Sequence, residues 1–507
     1  MAFQRTLKTE WTQEGNARFM DTASWRLRYH MATHIPAVLV ISAALLAILH
    51  NDTFFLIGAV IGSGIASYVF YNIIFYPENL RLGWVLGTGL LLGYAFGTLN
   101  TIVQLLFRGD TPESRFGLSV ADLSIALAAV LLVAALLFVV SSLIEPPLLG
   151  EPFQVGQQQL RLIWTGLGIV FLAFVSGDLG YMGLQASDEH RITVLGSIGA
   201  IVAPILPAVT LLALSNAQVF RQKVTLWIAL AMEVIFLLPQ GRRVLMYAMV
   251  VGFMAYNFNR LRLRRQSSAR PSLTKRLLIL FAGALIAYGS IVSFFALRYA
   301  TMQMGKGRSL TEYAGRAVTL LQDGDPMMAR QLASNVQDRT FILTYLSELL
   351  SASWHTTPML GEDAAFCIKS SIPSVLYPDK HAVNEIGAEE VIANPHFGLM
   401  VRDEANSLLT AGVSDFGLAG AIAYPFAILG FYVCFSRVVG RYLPPMTRLF
   451  LNFALVYGLI QAETVLTSNI NICRDLLIFI FVFALIDKIP SLRVLRRRTV
   501  HAHSPGI

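Results

Sequence analysis

The residues of this chain best suited to chemistry are ionisable groups at the ends of apolar runs. Arg242 and Arg243 occupy the tight turn Pro239-Gln240-Gly241-Arg242-Arg243 between two short apolar stretches, and Arg298 closes the run Phe294-Phe295-Ala296-Leu297. Arg402, Asp403 and Glu404 stand just before the segment Ala405 to Leu409, and Asp415 opens the next apolar run. Glu463, Arg474 and Asp475 cap the last pair of runs, and Lys380 and His396 lie in the long loop between. The planar fork of arginine binds two phosphate oxygens at once and never loses its proton. A carboxylate or imidazole within hydrogen-bond reach can take the proton of an attacking hydroxyl. Such cations also stabilise a departing diphosphate. Each group has a plainer role open to it, because charges at span ends commonly snorkel or pair. Glu404 pairing with Arg402, and His396 holding a loop by a hydrogen bond, are two examples. What points to a site is the convergence of three arginines and several carboxylates on one face.

That convergence depends on the elements between these residues. A span needs about 20 apolar residues, fewer when flanking groups snorkel. Twelve candidates follow, near 33–50, 54–75, 82–106, 120–143, 162–184, 192–214, 224–239, 243–258, 277–297, 416–435, 449–465 and 476–487. The last two form a hairpin around Glu463 to Asp475. Lysine and arginine set the orientation. With the N-terminus inside, 24 of the 39 basic residues fall in cytoplasmic segments, and nine of the other 15 sit in the long 298–415 loop. Long loops obey the rule weakly, so the asymmetry places both termini in the cytoplasm and 298–415 in the periplasm. The expected order is a cytoplasmic segment 1–32, nine spans over 33–297, the large loop 298–415, three spans over 416–487 and a basic cytoplasmic tail 488–507. The loop carries helical apolar spacing over Leu310 to Leu321 and Met327 to Leu350, and a Pro- and Gly-richer stretch from Trp354 to His396. Loops of this length with their own helices are usually functional.

Composition agrees and excludes other classes. Hydrophobic residues make up 55% of the chain and charged ones only 14%, with a mean hydropathy of +0.60, which is a membrane composition. The net charge of +8 lies between spans, where it signals topology, so nucleic acid is not an expected partner. Cys367, Cys434 and Cys473 have no metal-ligand spacing, and no metal site is expected. Roughly thirty polar residues precede the first apolar run, so that run reads as a start-transfer anchor rather than a cleaved signal. There is no Walker A, HExxH or GxSxG motif. The first outer loop offers only His50-Asn51-Asp52, without the paired acids of metal-dependent lipid-phosphate glycosyltransferases. The periplasm holds no ATP, so bond formation there needs a substrate that carries its own leaving group. A lipid-linked diphosphate arriving through the bilayer meets that need.

Three segments resemble the Wzy-type O-antigen and exopolysaccharide repeat-unit polymerases. Leu238-Pro239-Gln240-Gly241-Arg242-Arg243 is similar to the family's small-residue–arginine turn. Ser371-Ile372-Pro373-Ser374-Val375-Leu376-Tyr377-Pro378-Asp379-Lys380 resembles a Pro-and-Lys stretch of the large loop in one branch. Glu404-Ala405-Asn406-Ser407-Leu408-Leu409 through Asp415-Phe416-Gly417-Leu418-Ala419-Gly420 is similar to the polar, short-helix, aromatic-Gly-x-x-Gly entry into the following span. The likeness covers residues 224–435, and the first half only as hydropathy.

The resemblance implies an all-α, GT-C-like bundle of about twelve spans in the bacterial inner membrane. It implies a glycosyltransferase that polymerises undecaprenyl-diphosphate-linked oligosaccharide at the periplasmic face, without cofactor or metal, beside chain-length regulator and flippase proteins. Arg243 and Arg298 would hold the donor diphosphate, with Arg242, Arg402 and Lys380 in support and Asp415 at the substrate's edge. The base stays open among Glu404, Asp403 and His396, because many members carry a histidine where this chain has Glu404-Ala405. An O-antigen ligase and a flippase or exporter of the same lipid-linked sugars are the alternatives. Spans mostly free of interior charge favour the enzyme over the transporter.

Overall fold

A computed structural model describes residues 21–76, 79–108, 117–148, 157–176, 178–179, 193–217, 219–237, 240, 242–264, 273–305, 310–328, 342–372, 392–399 and 406–488. These form helices and no strand. In chain order the first are α1 (Asp21–Ala32), α2 (His34–Leu49), α3 (Asp52–Phe75) and α4 (Leu82–Leu90), the last passing through a π stretch, Leu91–Phe96, into α5 (Gly97–Arg108). There follow α6 (Val120–Ile144), α7 (Gln157–Val175), α8 (Val194–Val202), α9 (Leu206–Asn216), α10 (Phe220–Leu237), α11 (Arg242–Arg264) and α12 (Leu273–Met304). The remainder are α13 (Leu310–Asp323), α14 (Leu343–Ser353), α15 (Glu362–Ser371), α16 (Asn394–Phe397), α17 (Leu408–Arg441), α18 (Pro445–Leu459) and α19 (Leu466–Lys488).

Among the described residues six helices are long and apolar enough to cross a bilayer: Arg26–Leu49, Asp52–Phe75, Leu82–Phe107, Val120–Ile144, Leu408–Arg441 and Leu466–Ile486. The pair α8–α9 is apolar enough to make a seventh if it is one broken span rather than a re-entrant loop, and it bends by 45°. The bend has a local cause, since Pro204 cannot donate a helical hydrogen bond and Pro207 restarts the helix near its first turn. The chain is therefore a helical membrane protein.

The helix ends obey local chemistry. His50 closes α2 in the left-handed region (φ 43°), and Asn51 accepts the Phe54 N–H at 2.9 Å to open α3. His50-Asn51-Asp52 is thus consumed as a turn and cap. At the centre lies α6, apolar all round and opened by Ser119, whose side chain accepts the Asp122 N–H. It packs against α2, α3 and α4 on several sides, as expected of a helix without a polar face.

The late loop does not sit on top of the bundle. α14 buries Leu343, Tyr345, Leu346, Leu349 and Leu350 against α6 and α17, and α15 packs on α17 and α19. The expected hairpin at Glu463 to Asp475 also differs. Its turn spans only residues 460–465, and α19 begins ten residues before the apolar run near 476. A hydropathy reading stops at Thr467-Ser468-Asn469, yet Tyr432 donates to Asn469 Oδ1 at 2.9 Å and Asn469 donates to the Val465 carbonyl at 3.0 Å. Polar residues satisfied inside the bundle can continue a membrane helix.

Candidate functional site

The entry to α17 organises the site. Ser407, fully buried, accepts the Leu409 and Thr410 N–H groups, while Thr410 Oγ1 accepts the Ser407 N–H at 2.7 Å, a reciprocal capping box. The Ser407 hydroxyl also meets Tyr94 of the π stretch at 2.6 Å. π segments in long helices often mark functional positions. The short helix ends at Asp415. Phe416 (φ −141°, ψ 20°) and Gly417 (φ 59°, ψ −146°) then turn the chain back before the long part of α17 begins. The Gly417 conformation is essentially closed to residues with a Cβ. The fold-back also brings Gly412 and Gly420 backbone to backbone, where a Cβ on Gly420 would lie 1.8 Å from the Gly412 carbonyl oxygen.

Against this turn the loop segment leading into α15 is docked by its main chain. The Met359 N–H donates to Ser414 O and the Leu360 N–H to Asp415 O, both at 3.0 Å. Leu360 (φ 54°) and Gly361 (φ 96°) take left-handed conformations to enter α15. The Asp415 carboxylate, wholly buried, then accepts the Asp363 and Ala364 N–H groups at 3.0 Å each and the Tyr424 hydroxyl. It supplies an anion to the positive end of α15. At the other end Arg474 Nη1 donates to the Ser371 carbonyl at 2.7 Å, and Arg474 Nε pairs with Asp475 at 2.7 Å. An acid from α17 and a base from α19 thus clamp the two poles of one loop helix.

The expected site residues fall into four groups. His396 and Asp415 meet the same docked segment from two sides: His396 Nε2 contacts the Thr357 carbonyl at 2.8 Å. A carbonyl only accepts, so that nitrogen carries the proton and only Nδ1 could serve as a base. Arg242 and Arg243 open α11, whose N-terminal end lies beside the end of α18, with the Tyr247 and Tyr457 rings 6.3 Å apart; their side chains lie outside the description. Arg298 is in α12, half-buried beside the separate cluster of Ala296, Ala300, Ala317, Leu320 and Met328 that α12 forms with α13. Lys380, Arg402, Asp403 and Glu404 lie outside the described residues, the last two residues short of Asn406.

The chain itself had pointed to Asp415 as a substrate contact. Its two oxygens are occupied by three protein donors, so its geometry is that of an anchor for α15. Arg474 was read as a hairpin cap. It lies inside α19, with 23% of its side chain exposed. No metal-binding cluster of three or more His, Cys, Asp or Glu occurs among the described residues. Sequence reasoning also passed over Glu233 in α10, 2% exposed, whose Oε1 accepts the Thr210 hydroxyl of α9 at 2.6 Å while Oε2 has no partner. A lone carboxylate inside Leu226 to Leu237 was the signal for it. Compared with protein-family models, curated proteins and solved structures, the chain matches none.

Proposed function

We propose that this chain is a GT-C-like membrane glycosyltransferase that polymerises undecaprenyl-diphosphate-linked oligosaccharide repeat units at the periplasmic face of a bacterial inner membrane. In this reading α7, α10, α11, α12 and α18 complete twelve crossings, and both termini are cytoplasmic. The observation that carries it is the clamped helix α15, drawn into the bundle near the start of α17 and α19, while the end of α11 that carries Arg242-Arg243 lies beside the end of α18. Polar and cationic groups at one end of an apolar bundle suit an amphiphile whose diphosphate head lies at the membrane edge.

In the reaction the bond between the donor's anomeric carbon and its diphosphate breaks. A glycosidic bond to an acceptor hydroxyl forms, undecaprenyl diphosphate departs, and the hydroxyl proton passes to a base. Arg242, Arg243, Arg298, Arg402 and Lys380 are the cations assigned to the diphosphate, and Arg474 stays with the clamp on α15. Asp415 becomes a positioning residue. Glu404, Asp403 and His396 Nδ1 are the bases assigned to the acceptor. A second reading, an exporter of the same lipid-linked sugar, is favoured by one observation, the buried Glu233 beside the bent pair α8–α9.

Reconstitution separates the readings. Purified protein in liposomes with undecaprenyl-diphosphate-linked repeat unit, and no nucleotide or added metal, is expected to yield a ladder of polymer. Product appearing only with a lipid A–core acceptor would make it a ligase. Unit crossing the bilayer without bond formation would make it an exporter.

A further inference from the structure

The opposite end of α17 carries a second, unassigned site. From Leu418 to Arg441 the helix rises by about 36 Å, so its end lies across the bundle from the Asp415 turn. There a cleft of about 390 Å³ opens between the end of α17, the start of α18 and the residues after α6. That is within the size of ligand pockets. Three arginines line it: Arg437 and Arg441, one turn apart on α17, and Arg448 in the first turn of α18. The Arg448 stem lies across the bare backbone of Gly440.

Two other arginines at this end of the bundle are already committed. Arg28 Nε donates to the Ser142 carbonyl at 2.6 Å and Arg81 Nε to the Glu145 carbonyl at 2.9 Å, both at the C-terminal end of α6. Arg437 and Arg441 make no hydrogen bond or ion pair with a described residue, and Arg448 makes only a 3.4 Å contact to the Leu443 carbonyl. The one carboxylate on the cleft wall, Glu145, spends its oxygens on the Ser141 hydroxyl at 2.6 Å and the Gly83 N–H at 3.3 Å. Burial also pushes its pKa upward, against those hydrogen bonds and the nearby Arg81. The cleft therefore holds unneutralised positive charge.

The rest of its wall is apolar, from Leu82, Pro146, Pro147 and Val433. Outside it Leu143, Ile144 and Val438 expose half or more of their surface, and Tyr442 is 81% exposed. Exposed aliphatic residues followed by an exposed tyrosine mark the boundary between hydrocarbon and headgroups. We infer that this cleft binds the phosphate of an anionic membrane lipid, its headgroup between the three arginines and its glycerol end against the apolar wall. A basic pocket between helix ends at headgroup level is suited to this. A positive charge that only sets topology would need no cleft and no convergence from two helices.

The test is lipid retention by purified full-length protein, read by mass spectrometry, with thermal stabilisation by added phosphatidylglycerol, phosphatidylcholine or inorganic phosphate. Phosphatidylglycerol should be retained and should stabilise. Arg441→Gln and Arg448→Gln should each weaken it about fivefold. A triple lysine variant of Arg437, Arg441 and Arg448 keeps the topological charge but lacks the bidentate fork, and should fall between. Retention unchanged in the glutamine and lysine variants alike would overturn the site. Equal stabilisation by phosphatidylcholine, whose ammonium balances its phosphate, would overturn the anionic-lipid assignment, and a full shift with inorganic phosphate alone would overturn the lipid source.

Discussion

Replacing Asp415 tests whether the late loop is truly built into the bundle. Three donors converge on its carboxylate: the Asp363 N–H, the Ala364 N–H and the Tyr424 hydroxyl. Asp363 and Tyr424 are buried, whereas Ala364 lies at the edge, where water can replace the lost acceptor. With two donors stranded at about 1–3 kcal/mol each and a smaller loss for the third, Asp415→Ala should cost about 4 kcal/mol. That is a large part of the roughly 5–15 kcal/mol by which proteins are stable. Asp415→Asn keeps the shape and one acceptor but turns an amide donor towards a backbone donor, for a cost of about 2 kcal/mol. Tyr424→Phe removes one partner only, and its double variant with Asp415→Ala should show about 1 kcal/mol of non-additivity. Unfolding in mixed micelles, followed by tryptophan fluorescence, gives these values, and limited proteolysis of residues 359–372 should show α15 released first. A loss below about 1 kcal/mol for Asp415→Ala, or strict additivity with Tyr424→Phe, would refute the clamp.

Gly420→Ala places a methyl 1.8 Å from the Gly412 carbonyl oxygen, so backbone must move and a loss above about 3 kcal/mol is expected in the same unfolding assay. Arg474→Ala removes the ion pair to Asp475, which is 4% exposed. Because Arg474 is itself partly exposed, a loss of about 2 kcal/mol is expected, and Arg474→Ala/Asp475→Ala should recover part of it in a thermal melt. Burial raises the Glu145 pKa above its ordinary 4.5, so the native state holds that proton more tightly than the unfolded chain. Its contribution to stability is complete below pH 4.5 and is lost as pH rises through the raised value. Glu145→Gln should therefore flatten the stability profile above pH 4.5, and an unchanged slope would contradict the assignment.

The amino-acid sequence alone determined the class of molecule. Long apolar runs with few charges can satisfy their backbone in a bilayer only as helices, so an all-α membrane protein followed from composition and spacing. The short-helix entry before Phe416 was expected only through the resemblance, and the fold-back at Phe416-Gly417 with Gly412 and Gly420 backbone to backbone is a finding of the structure. The placement of the late loop was not legible. Leu343 to Leu350 shows the periodicity of a helix, whereas Glu362 to Ser371 lies in a stretch that reads as ordered loop yet forms α15, and no local signal says that the partners are α6, α17 and α19. Nor could hydropathy tell that the polar run Thr467 to Asp475 continues a helix, since its cost depends on partners such as Tyr432 and Ser371, which are remote in sequence. The roles of Asp415 and Arg474 were decided the same way. A charge at the end of an apolar run looks alike whether it awaits a substrate or caps a helix, and only the tertiary structure brings the poles of α15 to it.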